Sequence, residues 1–319
     1  MENSPQTIVI LLIVLIVGTL IGGCFPSIDK QGKSTITWTS HIHPDFFLPY
    51  DNLTSDENSL ITYYSSHTWL PGTDNHDYCG AKATLDVYGF DLEHGQASGA
   101  AIWIINRGDG EPSSLNGIQF GWHIFPWLYK DSHTHFYTSW ISGETHGKIC
   151  VNMKCPGFHL TSTSIAPGQV ISPLPHISGQ KSYITIRIFK ERNSGNWHIE
   201  FGANGEPEPV GYFPKSLLPG LIENPVEISF GGYVVHKKPR LSPPMGSGYV
   251  PASGKAASFS SLRLIDEDED EYFIKKDLPY TADMKGCYTP TSIDTSQFFY
   301  GPLVVWTNSL IFHIYTNIF

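Results

Sequence analysis

The chain has 319 residues; 16% are Asp, Glu, Lys or Arg, 13% are aromatic, 30 are glycine and 23 are proline. The apolar and aromatic content excludes a disordered chain, and low charge with abundant Gly and Pro argues against a coiled coil or helical bundle. With 20 basic against 30 acidic residues, net -10, the balance argues against a nucleic-acid binder, which needs clustered Lys and Arg.

The chain opens on Ile8 to Ile21, aliphatic apart from Gly18 and Thr19, and then Gly22, Gly23, Cys24 and Pro26. This pattern reads as a secretory signal over residues 1–24 with cleavage near Gly23 or Cys24. The segment before it carries no Lys or Arg, so an uncleaved membrane anchor over residues 8–24 is the alternative. The apolar run is shorter than the ~20 residues a spanning helix requires. Secretion gives meaning to Cys79, Cys150, Cys155 and Cys287, an even number in an oxidising compartment. Cys150 and Cys155 are spaced for a small disulfide staple; the competing half of a metal site lacks a second close pair. Asn52-Leu53-Thr54 is an N-glycosylation sequon.

Residues 25–78 read as a polar lead-in, and β grammar follows. Short runs at Ala83–Tyr88, Gly99–Ile105, Ile118–Trp122 and His135–Trp140 are separated by turn residues. In Tyr183–Phe189, Ile184, Ile186 and Ile188 share one face. Asn193-Ser194-Gly195-Asn196 and then Trp197–Phe201 complete a hairpin pattern. Val226–Val235 and Ala257–Leu264 are further strands, and Pro214–Leu218 is the one short helix expected. Many short strands without a βαβ rhythm imply an all-β, antiparallel sandwich of two stacked sheets. Asp266–Glu271, six consecutive acids, reads as a solvated loop.

Several stretches are more specific than β grammar. They are Ile118-Gln119-Phe120-Gly121-Trp122, Pro126-Trp127-Leu128-Tyr129, and Cys150-Val151-Asn152-Met153-Lys154-Cys155-Pro156-Gly157-Phe158. Gly195-Asn196-Trp197, Val210-Gly211-Tyr212-Phe213-Pro214, Phe230-Gly231-Gly232 and Met245-Gly246-Ser247-Gly248 follow. In this order the chain resembles the neprosin family of plant secreted proteins, over residues 79–302. The resemblance implies a two-sheet sandwich and a glutamic endopeptidase cleaving after proline at acid pH. It places the family's two catalytic glutamates at Gln119 and Tyr233, and both are substituted.

Such a peptidase needs one carboxylate to take a proton from water and a second group to stabilise the oxyanion. A Gln amide can donate to an oxyanion, and the eqolisin peptidases resemble a Gln/Glu pairing. A phenol with a pKa of about 10 cannot be the base at acid pH. Glu227 shares the parity of Tyr233 but lies about 20 Å along the strand, and His236 has the opposite parity. Glu144, Glu200 and Glu206 could approach only through the fold. The expectation is a peptidase-like fold with reduced or lost activity, or a binding module for Pro-rich peptides or cell-wall glycans. The cleft is expected to involve Trp122, Tyr129, Gly231, Gly232 and Met245.

His133-Thr134-His135 and His41-Ile42-His43 have a spacing that could grip a metal, with His123 as a third ligand. Surface or hydrogen-bonded histidines are the commoner outcome, so no metal and no cofactor is expected. The partner is a peptide or protein, and a membrane only through the N-terminal segment. The resemblance also implies a partner cysteine for Cys287 near the C-terminus; residues 303–319 form an apolar tail without one, which leaves Cys79 as an alternative mate.

Overall fold

A computed structural model describes residues 60–303, apart from 75, 112, 144–148, 173–181, 224 and 283–286. The expected signal segment, Asn52, His41, His43, Glu144 and residues 304–319 lie outside the described residues. In chain order the first strands are β1 (Leu60–Trp69), β2 (Tyr78–Val87), β3 (Gln96–Asn106) and β4 (Asn116–Ile124). A one-turn helix, α1 (Pro126–Tyr129), precedes β5 (His135–Ile141), β6 (Cys150–Val151), β7 (His159–Leu160) and β8 (Ser182–Lys190). Then come β9 (Trp197–Ala203), β10 (Glu208–Phe213), α2 (Gly220–Glu223), β11 (Glu227–Lys237) and β12 (Ala257–Asp266). The last are β13 (Glu271–Phe273), β14 (Tyr280–Ala282), β15 (Tyr288–Pro290) and β16 (Phe298–Pro302).

The strands form two antiparallel sheets. One has the order β14-β1-β11-β3-β4-β5-β6; the other runs β15-β16-β12-β2-β8-β9-β10-β7, with β13 paired to β12. The expected all-β sandwich is therefore what forms. Its main core lies between the sheets, where Ile184, Ile186 and Ile188 of β8 meet Ile102, Phe120 and Phe230 from the other sheet. The hairpin predicted after Phe189 joins β8 to β9, with Lys190 opposite Trp197.

Three expectations change. The segment read as lead-in contains β1, which pairs with β11 from Leu60 to Trp69. Polar residues in its core-facing register hide it: His67 is fully buried, with its ring nitrogens 3.0 Å from Leu278 O and 2.8 Å from Thr291 O. Pro214–Leu218 is a turn closed by Leu217 N–H donating to Pro214 O at 2.9 Å, not a helix. Pro219 follows at once and disfavours helical backbone in the residue before it. The acidic run is only partly solvated. Asp266 Oδ1 accepts from the main-chain N–H of Asp268 and Asp270, and Glu271 pairs with Arg187 and Arg263.

The Cys150–Cys155 disulfide is formed. Cys79 is a free, buried thiol, which removes the alternative Cys79–Cys287 pairing. Among the described residues, no helix is long and apolar enough to cross a membrane.

Candidate functional site

Side chains alternate across a strand, so Gln119 on β4 and Tyr233 on β11 can share a face only if their register agrees. It does, on the outer face of the first sheet. Tyr64, Tyr233, Gly99, His123 and His135 lie opposite one another in a row across β1, β11, β3, β4 and β5. Two residues along each strand, a parallel row reads Ser66, Gly231, Ala101, Gly121 and Tyr137. The third row is Thr68, Ser229, Trp103, Gln119 and Ser139. Small residues thus floor a trough between two polar and aromatic banks. Gly99 matters most: a Cβ there would meet Tyr233 Cε1 at 2.8 Å and His123 Cβ at 2.9 Å. Its missing side chain lets His123 Nδ1 come within 3.1 Å of the Tyr233 hydroxyl.

From that contact a polar network extends. Tyr233 O–H donates to the Tyr137 oxygen at 3.2 Å, and Ser139 O–H donates to Gln119 Oε1 at 3.2 Å. Gln119 also hydrogen-bonds Tyr137. His123 Nε2 meets the Tyr129 hydroxyl at 2.7 Å. α1 supplies Tyr129: Pro126 starts the helical turn, and Lys130 ends it in the left-handed region at φ 68. Tyr129 then stacks on His135 with centroids 3.6 Å apart, while His123 stacks on Tyr137 at 3.7 Å. His135 Nε2 lies 3.0 Å from Asp131 Oδ1.

The cluster is buried, with Gln119 2% and Tyr233 1% exposed. Burial, and then the charge of His135, hold His123 well below the ordinary histidine value. Burial, and next Tyr233, push Tyr137 well above the ordinary phenol value. Burial tends to raise Asp131, but hydrogen bonds from His135 and His133 prevail and lower it. The described partners of Gln119, Tyr233, Tyr137 and His123 are phenols, an amide, an imidazole and hydroxyls.

His123 also links stability to pH. Its folded value is depressed, so between that value and about 6.5 the unfolded chain binds more protons. Stability should therefore fall as pH drops below about 6.5, by up to about 1.4 kcal/mol per pH unit for this group. Urea unfolding at a series of pH values should show the slope reduced in His123→Gln; an unchanged slope would contradict the assignment.

Of the expected site residues, Gln119, Tyr233, Tyr129 and Gly231 come together. Trp122, Gly232 and Met245 do not. Trp122 and Met245 belong to the core between the sheets, and a Cβ at Gly232 would meet Tyr300 at 2.2 Å. The reason is parity: Trp122 is three residues from Gln119 and Gly232 one from Tyr233, so both face the other way. Trp122 Nε1–H donates inward to Asp86 O at 3.0 Å. The candidate rescuers are occupied elsewhere. Glu227 holds Arg107 through both oxygens, Glu200 pairs with Arg187, and Glu206 pairs with Lys82. His133 is two-thirds exposed, and no group of three or more His, Cys, Asp or Glu among the described residues could hold a metal. Sequence reasoning missed Trp103, Tyr137, Ser139 and Asn152 as site residues. Counting in twos from Gln119 would have reached Gly121 and His123, but the other strands required the register.

A family model described as Neprosin matches residues 94–302. The fold is similar to a crystal structure of scytalido-glutamic peptidase with a peptide-based transition-state analogue. Identity is 10%, covering 77% of this chain and 100% of that one, with a TM-score of 0.40. A second similar structure is SCP-B, a member of the eqolisin family of peptidases, in complex with the tripeptide Ala-Ile-His. There identity is 9%, coverage 76% and 99%, and the TM-score 0.39. A glycoside hydrolase family protein from Mycobacterium thermorestibile matches at 12% identity over 58% of this chain and 70% of that one, TM-score 0.29. At these scores none of the three bears on the chemistry of the site. The family match covers well over half of the chain, and its span contains both Gln119 and Tyr233: the chain belongs to the neprosin family.

Proposed function

We propose that this neprosin-domain protein holds a peptide, Pro-rich segments included, on the outer face of its first sheet and hydrolyses it slowly or not at all. The observation that carries this reading is the pairing at the centre of the site. Gln119 retains an amide able to donate to a carbonyl oxygen, while position 233 holds a phenol bonded to His123 and Tyr137. A water attacking a peptide carbonyl must lose a proton to a base. Tyr233 is no base at acid pH. Both His123 nitrogens are already engaged, so neither is presented to water. Partly buried Trp127, Leu128 and Ile149 pack on the same face as this cluster. Gln119 itself is buried, so a ligand must displace part of this covering layer to reach it, and association should be slower than for an open cleft. The apolar stretch before Cys24 supports delivery through the secretory pathway.

The test is a digest of proline-containing peptides by the purified protein from pH 2 to 8, beside calorimetric titration with the same peptides. Binding without cleavage is the expected result. Cleavage at pH 2–5 that disappears in Gln119→Ala would overturn the reading.

A further inference from the structure

Asn152 stands outside the family's glutamate positions, yet its amide bonds into the network through Tyr129. The Thr138 main-chain N–H finds its side-chain acceptor in Asn152 Oδ1 at 3.1 Å, which fixes the orientation of the amide. Asn152 Nδ2 then donates to the Tyr129 oxygen at 2.9 Å. That leaves the Tyr129 proton for His123 Nε2 at 2.7 Å. A neutral imidazole carries one proton, which must therefore sit on Nδ1 and donate to Tyr233. Tyr233 passes its own proton to Tyr137. From Asn152 to Tyr137 every donor points the same way.

The disulfide explains how Asn152 gets there. Cys150 and Cys155 close a short loop at the end of the sheet, with Cys150 opposite Trp140. Inside it Asn152 takes a left-handed backbone at φ 52, which Asn tolerates better than most residues. Its N–H donates to Thr138 O at 2.7 Å, and its side chain is buried under Tyr129.

We propose that Asn152, presented by the Cys150–Cys155 loop, is a positioning residue that sets the tautomer of His123 and so the direction of the Tyr233 hydroxyl. Only the ligand arm of this proposal rests on the peptide-binding reading.

The near-isosteric Asn152→Asp variant tests it. A carboxylate still accepts from Thr138 N–H but has nothing to donate to Tyr129. The Tyr129 proton then turns to the carboxylate, His123 must donate from Nε2, and Tyr233 must donate back to Nδ1. Imidazole nitrogen NMR distinguishes the two tautomers, with the His123 signals assigned by their loss in His123→Gln. The wild type should show Nδ1–H and Asn152→Asp should show Nε2–H. Affinity for a proline-containing peptide should fall about tenfold, one hydrogen bond's worth. A wild type in the Nε2–H form, or an unchanged tautomer in the variant, would overturn the proposal. Should Asn152→Asp not fold, Tyr129→Phe replaces it: loss of the fixed tautomer is expected, and a retained Nδ1–H form overturns. An inverted tautomer with unchanged peptide affinity would refute the link to the ligand. Inversion with no peptide binding by either protein would leave Asn152 as assigned and refute the binding reading instead.

Discussion

Tyr233→Glu is expected to give acid-dependent peptide hydrolysis well above that of the wild type. The substitution puts a carboxylate on the outer face of β11, in the row that already holds His123 and two rows from Gln119, with Tyr137 of the row between them bonded to both positions. The amide would stabilise the oxyanion and the carboxylate would accept the water proton. A well-placed general base contributes about 10²–10⁴-fold, and the gain over wild type should fall in that range. Position 233 is buried, so desolvation should lift the new carboxyl above the usual range of about 4. Activity should then be greatest in mild rather than strong acid. The cost is a buried carboxylate among phenols, so lower stability than wild type is expected. The check is chromatography of peptide digests between pH 3 and 7, with Tyr233→Glu/Gln119→Ala as control. A folded, peptide-binding Tyr233→Glu that cleaves nothing would show that positions 119 and 233 do not act on one carbonyl.

The second large effect is steric. A Cβ at Gly121 would sit 2.0 Å from Ala100 O and 2.7 Å from Ala101 Cα, both main-chain atoms of β3. No side-chain rotation relieves that contact, so β3 and β4 must separate in the middle of the site. Overpacking of this kind costs about 3 kcal/mol, or a melting shift of roughly 4–6 °C for a chain of this size. Because Gly121 lies between Gln119 and His123 on one strand, Gly121→Ala should also weaken peptide binding. Gly254→Ala is the control, since nothing lies within 4 Å of its Cβ position. Its melting temperature should match wild type, or rise slightly through lost freedom in the unfolded chain. Equal melting temperatures for the two variants would mean that the strands are not as close as described.

Much of the sandwich was legible because a strand writes its two faces into alternate residues. Ile184, Ile186 and Ile188 announce a buried face without any knowledge of their neighbours. β1 escaped the same reading because Ser65 and His67 stand in its core-facing positions, and the carbonyls that satisfy His67 come from far along the chain. Trp122 and Met245 were misassigned because nearness in sequence to Gln119 and a glycine-rich loop stood in for direction.

The sequence by itself determined the two-sheet grammar, the short disulfide loop and the chemical identities at positions 119 and 233. An amide and a phenol stand there whatever the fold does with them. Only the tertiary structure decided what those groups meet. Tyr233 and His123 are separated by more than a hundred residues, and strand register with an empty Gly99 between them brings them into contact. Asn152 reaches the network from a loop whose position depends on pairing between β5 and β6. Residue type is a local property, but donor direction along a chain of hydrogen bonds is set by every member at once.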